Sequence, residues 1–190
     1  MLDKTVPYVG FYMRRAPGTR IPPYELPKGF DFTFYRDGGE ADWAKIESAV
    51  LEFDSEFAAL MFFKENYAQF TDELYGRCIF IETSEGRKVA TATAWWSEIY
   101  GERRPWLNWV GVYPKYQGLG LGKAIIARAT ELMTEIEGDV PFFLKTQTWS
   151  YKAISIYTAC GYEPCYEKLL YRDRSDNCKK AMRVLRRFSR

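Results

Sequence analysis

The chain has 190 residues, 47% of them hydrophobic and 27% charged, with a net charge of +2, a balance typical of one globular domain with a substantial core. It contains no histidine, which excludes Ser-His-Asp and Cys-His nucleophilic catalysis, an HExxH zinc site and a Cys2His2 finger together. No apolar run approaches the roughly 18 residues of a membrane span, and the N-terminus lacks the pattern of a secretory signal.

Residues 1–29 are rich in proline and aromatics. They read as a short strand around Tyr8–Met13 and then an extended segment on the surface, so 1–29 is expected to be an extension packing on a domain of 30–190. FDFTFYR (30–36) alternates apolar and polar residues and reads as a strand ending at Gly38-Gly39. Trp43, Ile46, Val50 and Phe53 recur at helical spacing, and a second helix follows from about Ser55. RCIFIETS (77–84) and RKVATATAWW (87–96) flank a polar turn and read as a hairpin. WLNWVGVYP (106–114) is a further strand, stopped by Pro114. Leu119–Glu137 has the clearest helical stripe, with Ile125, Ile126, Ala129, Leu132, Met133 and Ile136 on one face and Arg128, Glu131 and Glu135 on the other. PFFLKTQT (141–148) reads as strand, Tyr151–Cys160 as helix, and CYEKLLYRD (165–173) as strand. KKAMRVLRRF (179–188) fits either a helix or a terminal strand.

The last 23 residues hold nine Lys/Arg and two Asp, leaving the rest net acidic. Such a tail can dock on nucleic acid, but no recognised binding motif accompanies it, so nucleic acid is an unfavoured partner. Four cysteines without CxxC spacing read as free thiols of a cytoplasmic protein with no metal site.

The most informative stretch is VYPKYQGLGLGKAII (112–126). Three glycines precede a helix, and a lysine follows them. A GxxxxGK[ST] loop fails because Gln117 and Ala124 occupy its outer positions, and GxGxxG fails at Leu121 and Lys123. What remains is a turn whose small residues let a diphosphate approach free backbone N–H groups at a helix start, with Lys123 adding charge. A turn that only packs the helix closely on the sheet is the alternative.

Val110, Val112, Pro114, Gln117, Gly120 and Gly122 together resemble the acetyl-CoA-binding motif of the GNAT superfamily of N-acetyltransferases. Ala153, Ile156, Tyr157, Gly161 and Tyr162 in SYKAISIYTACGY (150–162) resemble a second segment of that family. The resemblance, over roughly 30–190, implies an α/β (α+β layered) fold with a mixed, mostly antiparallel central sheet and helices on both faces. It implies acetyl-CoA as co-substrate, held by Val110, Gly111, Val112, Gln117, Gly118, Leu119, Gly120, Leu121, Gly122, Lys123 and Ser150 (serine standing where the family usually has asparagine). It implies Tyr157 as general acid, a small-molecule or peptide amine as acceptor, and a possible homodimer.

The chemistry sets two demands. An alkylammonium of pKa ~10.4 is only about 0.04% deprotonated at pH 7, so a base is needed, and a departing thiolate is helped by a proton donor. At the position where some members carry a glutamate base stands Lys145. Glu98, or a water held by Asn108 or Thr146, is the alternative, and no base is assigned. Trp95, Trp96, Trp106, Trp109 and Trp149 lie on or beside the central strands, as core or as the wall of an acceptor pocket. Two other readings stay open: a catalytically silent CoA-binding module, and a nucleic-acid-associated protein using the basic tail.

Overall fold

In the computed structural model, which describes residues 2–167 and 177–188, seven strands form one sheet. The first, β1 (Gly10–Arg15), alternates half-buried and buried residues along its length. After β2 (Phe30–Phe34) come three helices, α1 (Gly39–Ala49), α2 (Glu56–Tyr67) and α3 (Thr71–Arg77). Then follow β3 (Cys78–Thr83), β4 (Lys88–Ile99), β5 (Glu102–Val112), α4 (Leu121–Glu137), β6 (Phe142–Gln147), α5 (Tyr151–Ala159), β7 (Tyr162–Pro164) and α6 (Asn177–Leu185).

The strand order is β2-β3-β4-β5-β6-β1-β7, antiparallel throughout except for the parallel pair β5 and β6. This is the mixed, mostly antiparallel sheet that the motifs imply. Helices cover both faces. Phe80 and Cys78 point into a cluster with Trp43, Ile46, Ala59, Phe63 and Leu74 of α1–α3. Ile79 and Ile81 point the other way, to α4 and α5, as the two-residue period of a strand requires. Leu121, Ile125, Ile126, Leu132 and Met133 of α4 are all buried there, each stabilising the fold by about 1.5–3 kcal/mol relative to exposure.

Three features differ from the sequence reading. β1, expected at Tyr8–Met13, lies within the sheet, between β6 and β7. α3 was not expected. Its seven residues carry only Leu74 and Arg77 as buried positions, too few for a visible stripe. The 179–188 stretch is helical at α6, with Cys178, Ala181 and Leu185 buried. Of the strand expected at 165–173, Cys165–Glu167 have no strand structure and 168–173 lie outside the described residues.

The segment after β1 has no regular structure and is pinned by polar contacts. Gly18 N–H donates to Asp139 Oδ2 at 2.7 Å, and Tyr24 Oη donates to Glu131 Oε2 at 2.5 Å. Buried Arg15 donates to the carbonyls of Cys160 and Thr19.

Candidate active site

The site begins with a break in the sheet. β5 and β6 pair at Trp106↔Phe143. Beyond that point, towards their C-terminal ends, both strands line a cavity of about 740 Å³. A β-bulge in β5 shapes its wall: Thr91 of β4 faces Gly111 while Thr93 faces Asn108, so β5 carries one extra residue there. Within the bulge Trp109 adopts φ 50°, a conformation rare for a bulky side chain. Its ring is fixed by Trp43, Phe53 and Phe62, with centroids 5.4, 5.2 and 4.9 Å away. Asn108 faces the same side and donates to Tyr67 Oη at 3.4 Å.

The turn after β5 is built for close approach to backbone. Gln117 Nε2 donates to the Val112 carbonyl at 2.8 Å, bracing the turn against the strand. Gly118 and Gly120 both have φ 84°. Their surroundings are open, so the need for glycine there is conformational. Gly120 caps α4 without a side-chain acceptor, and the first helical bond is Ala124 N–H to the Gly120 carbonyl. The N–H groups of Leu121, Gly122 and Lys123 therefore have no partner within the helix. Lys123 lines the same cavity. Gly122 faces α5, where an added Cβ would stand 3.4 Å from Ile156 Cδ1.

Tyr157 enters from α5. It is 8% exposed, lines the cavity, and packs edge-on against Tyr162. Among the described residues its hydroxyl has no hydrogen-bond partner. Burial, then the Glu52 and Glu47 charges, push its phenol well above the usual tyrosine value.

All the candidate cofactor residues line the cavity except Leu119, which is half-exposed, and Leu121, which is buried in the core. Those two contribute backbone to the turn and helix start rather than side chain. Asn108, Lys145 and Thr146 also line it. Glu98 does not: it is exposed, near the far end of β4, opposite Arg103. Of the five tryptophans on or beside the central strands, Trp109 and Trp149 reach the cavity. Trp95 stacks on Trp96 at 4.0 Å, and Trp106 stacks on Phe143. Among the described residues no group of His, Cys, Asp or Glu is placed to hold a metal.

Residues 41–162 match the model of the Acetyltransferase (GNAT) family. The chain belongs to this family. A GCN5-related N-acetyltransferase from Sphaerobacter thermophilus has a similar fold, with TM-score 0.65, 18% identity, and coverage of 84% of this chain and 49% of that one. A GNAT-family acetyltransferase from Colwellia psychrerythraea gives 0.62, 12%, 84% and 54%. A GCN5-related N-acetyltransferase from Kribbella flavida gives 0.56, 21%, 82% and 54%. This GNAT chain thus spans about half the length of the solved proteins it matches. No curated protein matches it.

One residue of this GNAT site escaped the sequence reading. Glu47 of α1 is 0% exposed, and among the described residues neither carboxylate oxygen has a hydrogen-bond partner. It lines the cavity, and an added Cβ at Gly111 would stand 2.8 Å from its Oε1. Burial, then the nearby Glu52 charge, push its carboxyl well above the usual range. The signal was present: Trp43, Ile46, Glu47 and Val50 fall at i, i+3, i+4 and i+7, so a carboxylate sits on an apolar helical stripe.

Proposed function

We propose that this GNAT protein transfers an acetyl group from acetyl-CoA to the amine of a small-molecule or peptide acceptor, by direct attack on the thioester. The observation that carries this reading is one cavity lined by Val110–Val112 of β5, the glycine turn with Lys123, and Tyr157. Gly118, Gly120 and the unpaired N–H groups at the start of α4 suit a diphosphate. The unpaired edge of β5 beside the gap suits the amide-bearing arm of the cofactor, which pairs there as an added strand, and its N–H groups can stabilise charge growing on the thioester oxygen.

Tyr157 is the proton donor to the leaving sulfur. Its raised affinity for its proton keeps it protonated at any working pH. A simple thiol, near ~8.5, would be too weak a base to take that proton in water. Burial narrows the mismatch, because a dry environment raises a thiol as well. In this fold it pushes Cys78 up to about 12. The four cysteines are free and buried, which supports a reducing, cytoplasmic setting. Among the described residues no helix is long and apolar enough to cross a membrane.

The test is thiol release from acetyl-CoA across alkylamines and peptides, with a thermal shift by acetyl-CoA alongside. Saturable stabilisation and acceptor-dependent release are expected. No stabilisation at millimolar acetyl-CoA would sink the reading.

A further inference from the structure

The cavity crosses the sheet. Tyr157 reaches it from the α4–α5 face, within the cluster that contains Ile125, Ile126 and Leu144. Glu47 reaches it from the α1–α3 face, beside Ile46 and Trp43. Between them lie the parted ends of β5 and β6, where the proposed thioester arm runs. Gly111, in the middle of that β5 segment, has no side chain to separate the strand from the Glu47 carboxylate.

From this placement we infer that Glu47 is the group that takes the proton of the acceptor ammonium, so that the amine attacks from the α1 face while the thiolate leaves towards Tyr157. The inference rests on the acetyl-transfer reading and adds its missing base. A carboxylate with both oxygens buried and unpartnered is costly to keep, and an arriving ammonium supplies the hydrogen bonds it lacks. Among the described residues the groups around it do not compete for that role. Glu52 repels it, and Tyr67, Cys78 and Tyr157 are held neutral by burial. Lys145 and Lys4 line the cavity without an ion pair to Glu47.

The protons and bonds balance. The ammonium gives one proton to Glu47, which returns it to water. The N–C bond forms as the C–S bond breaks. Tyr157 gives its proton to the sulfur and is reprotonated by the second proton lost from nitrogen. The net products are the amide, free thiol and one proton.

The acceptor is therefore an amine that arrives charged, and this gives a discriminating test. Wild type and Glu47→Gln are compared with an alkylamine and with a weakly basic amine that is already neutral at the assay pH, while acetyl-CoA binding is followed by thermal shift. The expected result is a loss of about 10²–10⁴-fold with the alkylamine, a loss below about tenfold with the weakly basic amine, and an unchanged acetyl-CoA shift. The wild-type rate on the alkylamine should also fall on acidification as Glu47 is protonated, an inflection missing from the variant. Equal losses with both acceptors, or no loss with either, overturn the Glu47 assignment and leave acetyl transfer standing. A wild type that neither binds acetyl-CoA nor releases thiol overturns both. Should Glu47→Gln fold poorly, Glu47→Asp, one methylene shorter, should lose rate selectively on the alkylamine; an unselective loss refutes the role.

Discussion

A buried carboxylate without partners should make this protein more stable when it is removed, and the gain should depend on pH. Glu47 is 0% exposed and its native proton affinity is raised, chiefly by burial. Its unfolded pKa is about 4.3. Between that value and the higher native one, the folded chain binds more protons than the unfolded chain, so stability falls as pH rises through the window. Each tenfold difference in proton affinity between the two states costs about 1.4 kcal/mol by the top of the window, or ~3–6 °C in Tm for a domain of this size. Glutamine matches the protonated carboxyl in shape and does not titrate. The Tm of Glu47→Gln minus that of wild type should therefore be near zero below about pH 4.3, climb as pH rises through the window and level off once the native carboxyl has ionised. Scanning calorimetry of both proteins in matched buffers across that range measures it. Groups that do not interact with Glu47 cancel in the difference. A difference independent of pH would refute the claim that Glu47 is held in a dry, unpaired site.

Tyr157→Phe should lower thiol release by about 10²-fold or more while leaving Tm unchanged or higher, because its hydroxyl has no partner to lose among the described residues; a rate within threefold of wild type would contradict the acid role. Gly120→Ala forces a side chain onto φ 84°, costing about 1–2 kcal/mol, and should weaken acetyl-CoA binding by calorimetric titration; unchanged binding would mean the turn does not hold the cofactor. Gly161→Ala combines φ 85° with a collision against the Thr19 side chain. Urea unfolding should show a loss of at least about 2 kcal/mol, partly restored when Thr19→Ala is added, and strict additivity of the two changes would argue against the contact.

Much of the proposed cofactor end was legible in the chain because it is built locally. Pro114, Gln117, Gly118, Gly120 and Gly122 act within a few residues of one another, and their work is done by backbone conformation and unpaired N–H groups at a helix start. The α4 stripe and the alternation in β2 are local in the same sense. The acceptor end is different. It joins α1, the bulge at Trp109, the end of β6 and residues near the N-terminus, segments that lie in part well over a hundred residues apart. A glutamate on the stripe of α1 was visible, but nothing near it in sequence told whether solvent, a salt bridge or a substrate would meet it.

The sheet order divides in the same way. Period-two patterns mark strands but carry no record of their neighbours, since every strand offers the same backbone donors and acceptors. The sequence by itself determined the family, the glycine turn ahead of α4 and the presence of a tyrosine on α5. Only the tertiary structure decided that β1 lies between β6 and β7, that β5 and β6 part after Trp106, and that Glu47 and Tyr157 enter the resulting gap from opposite faces. Those outcomes depend on long-range pairing and on which side chains the packed layers shut off from water, and neither is written in any short run of residues.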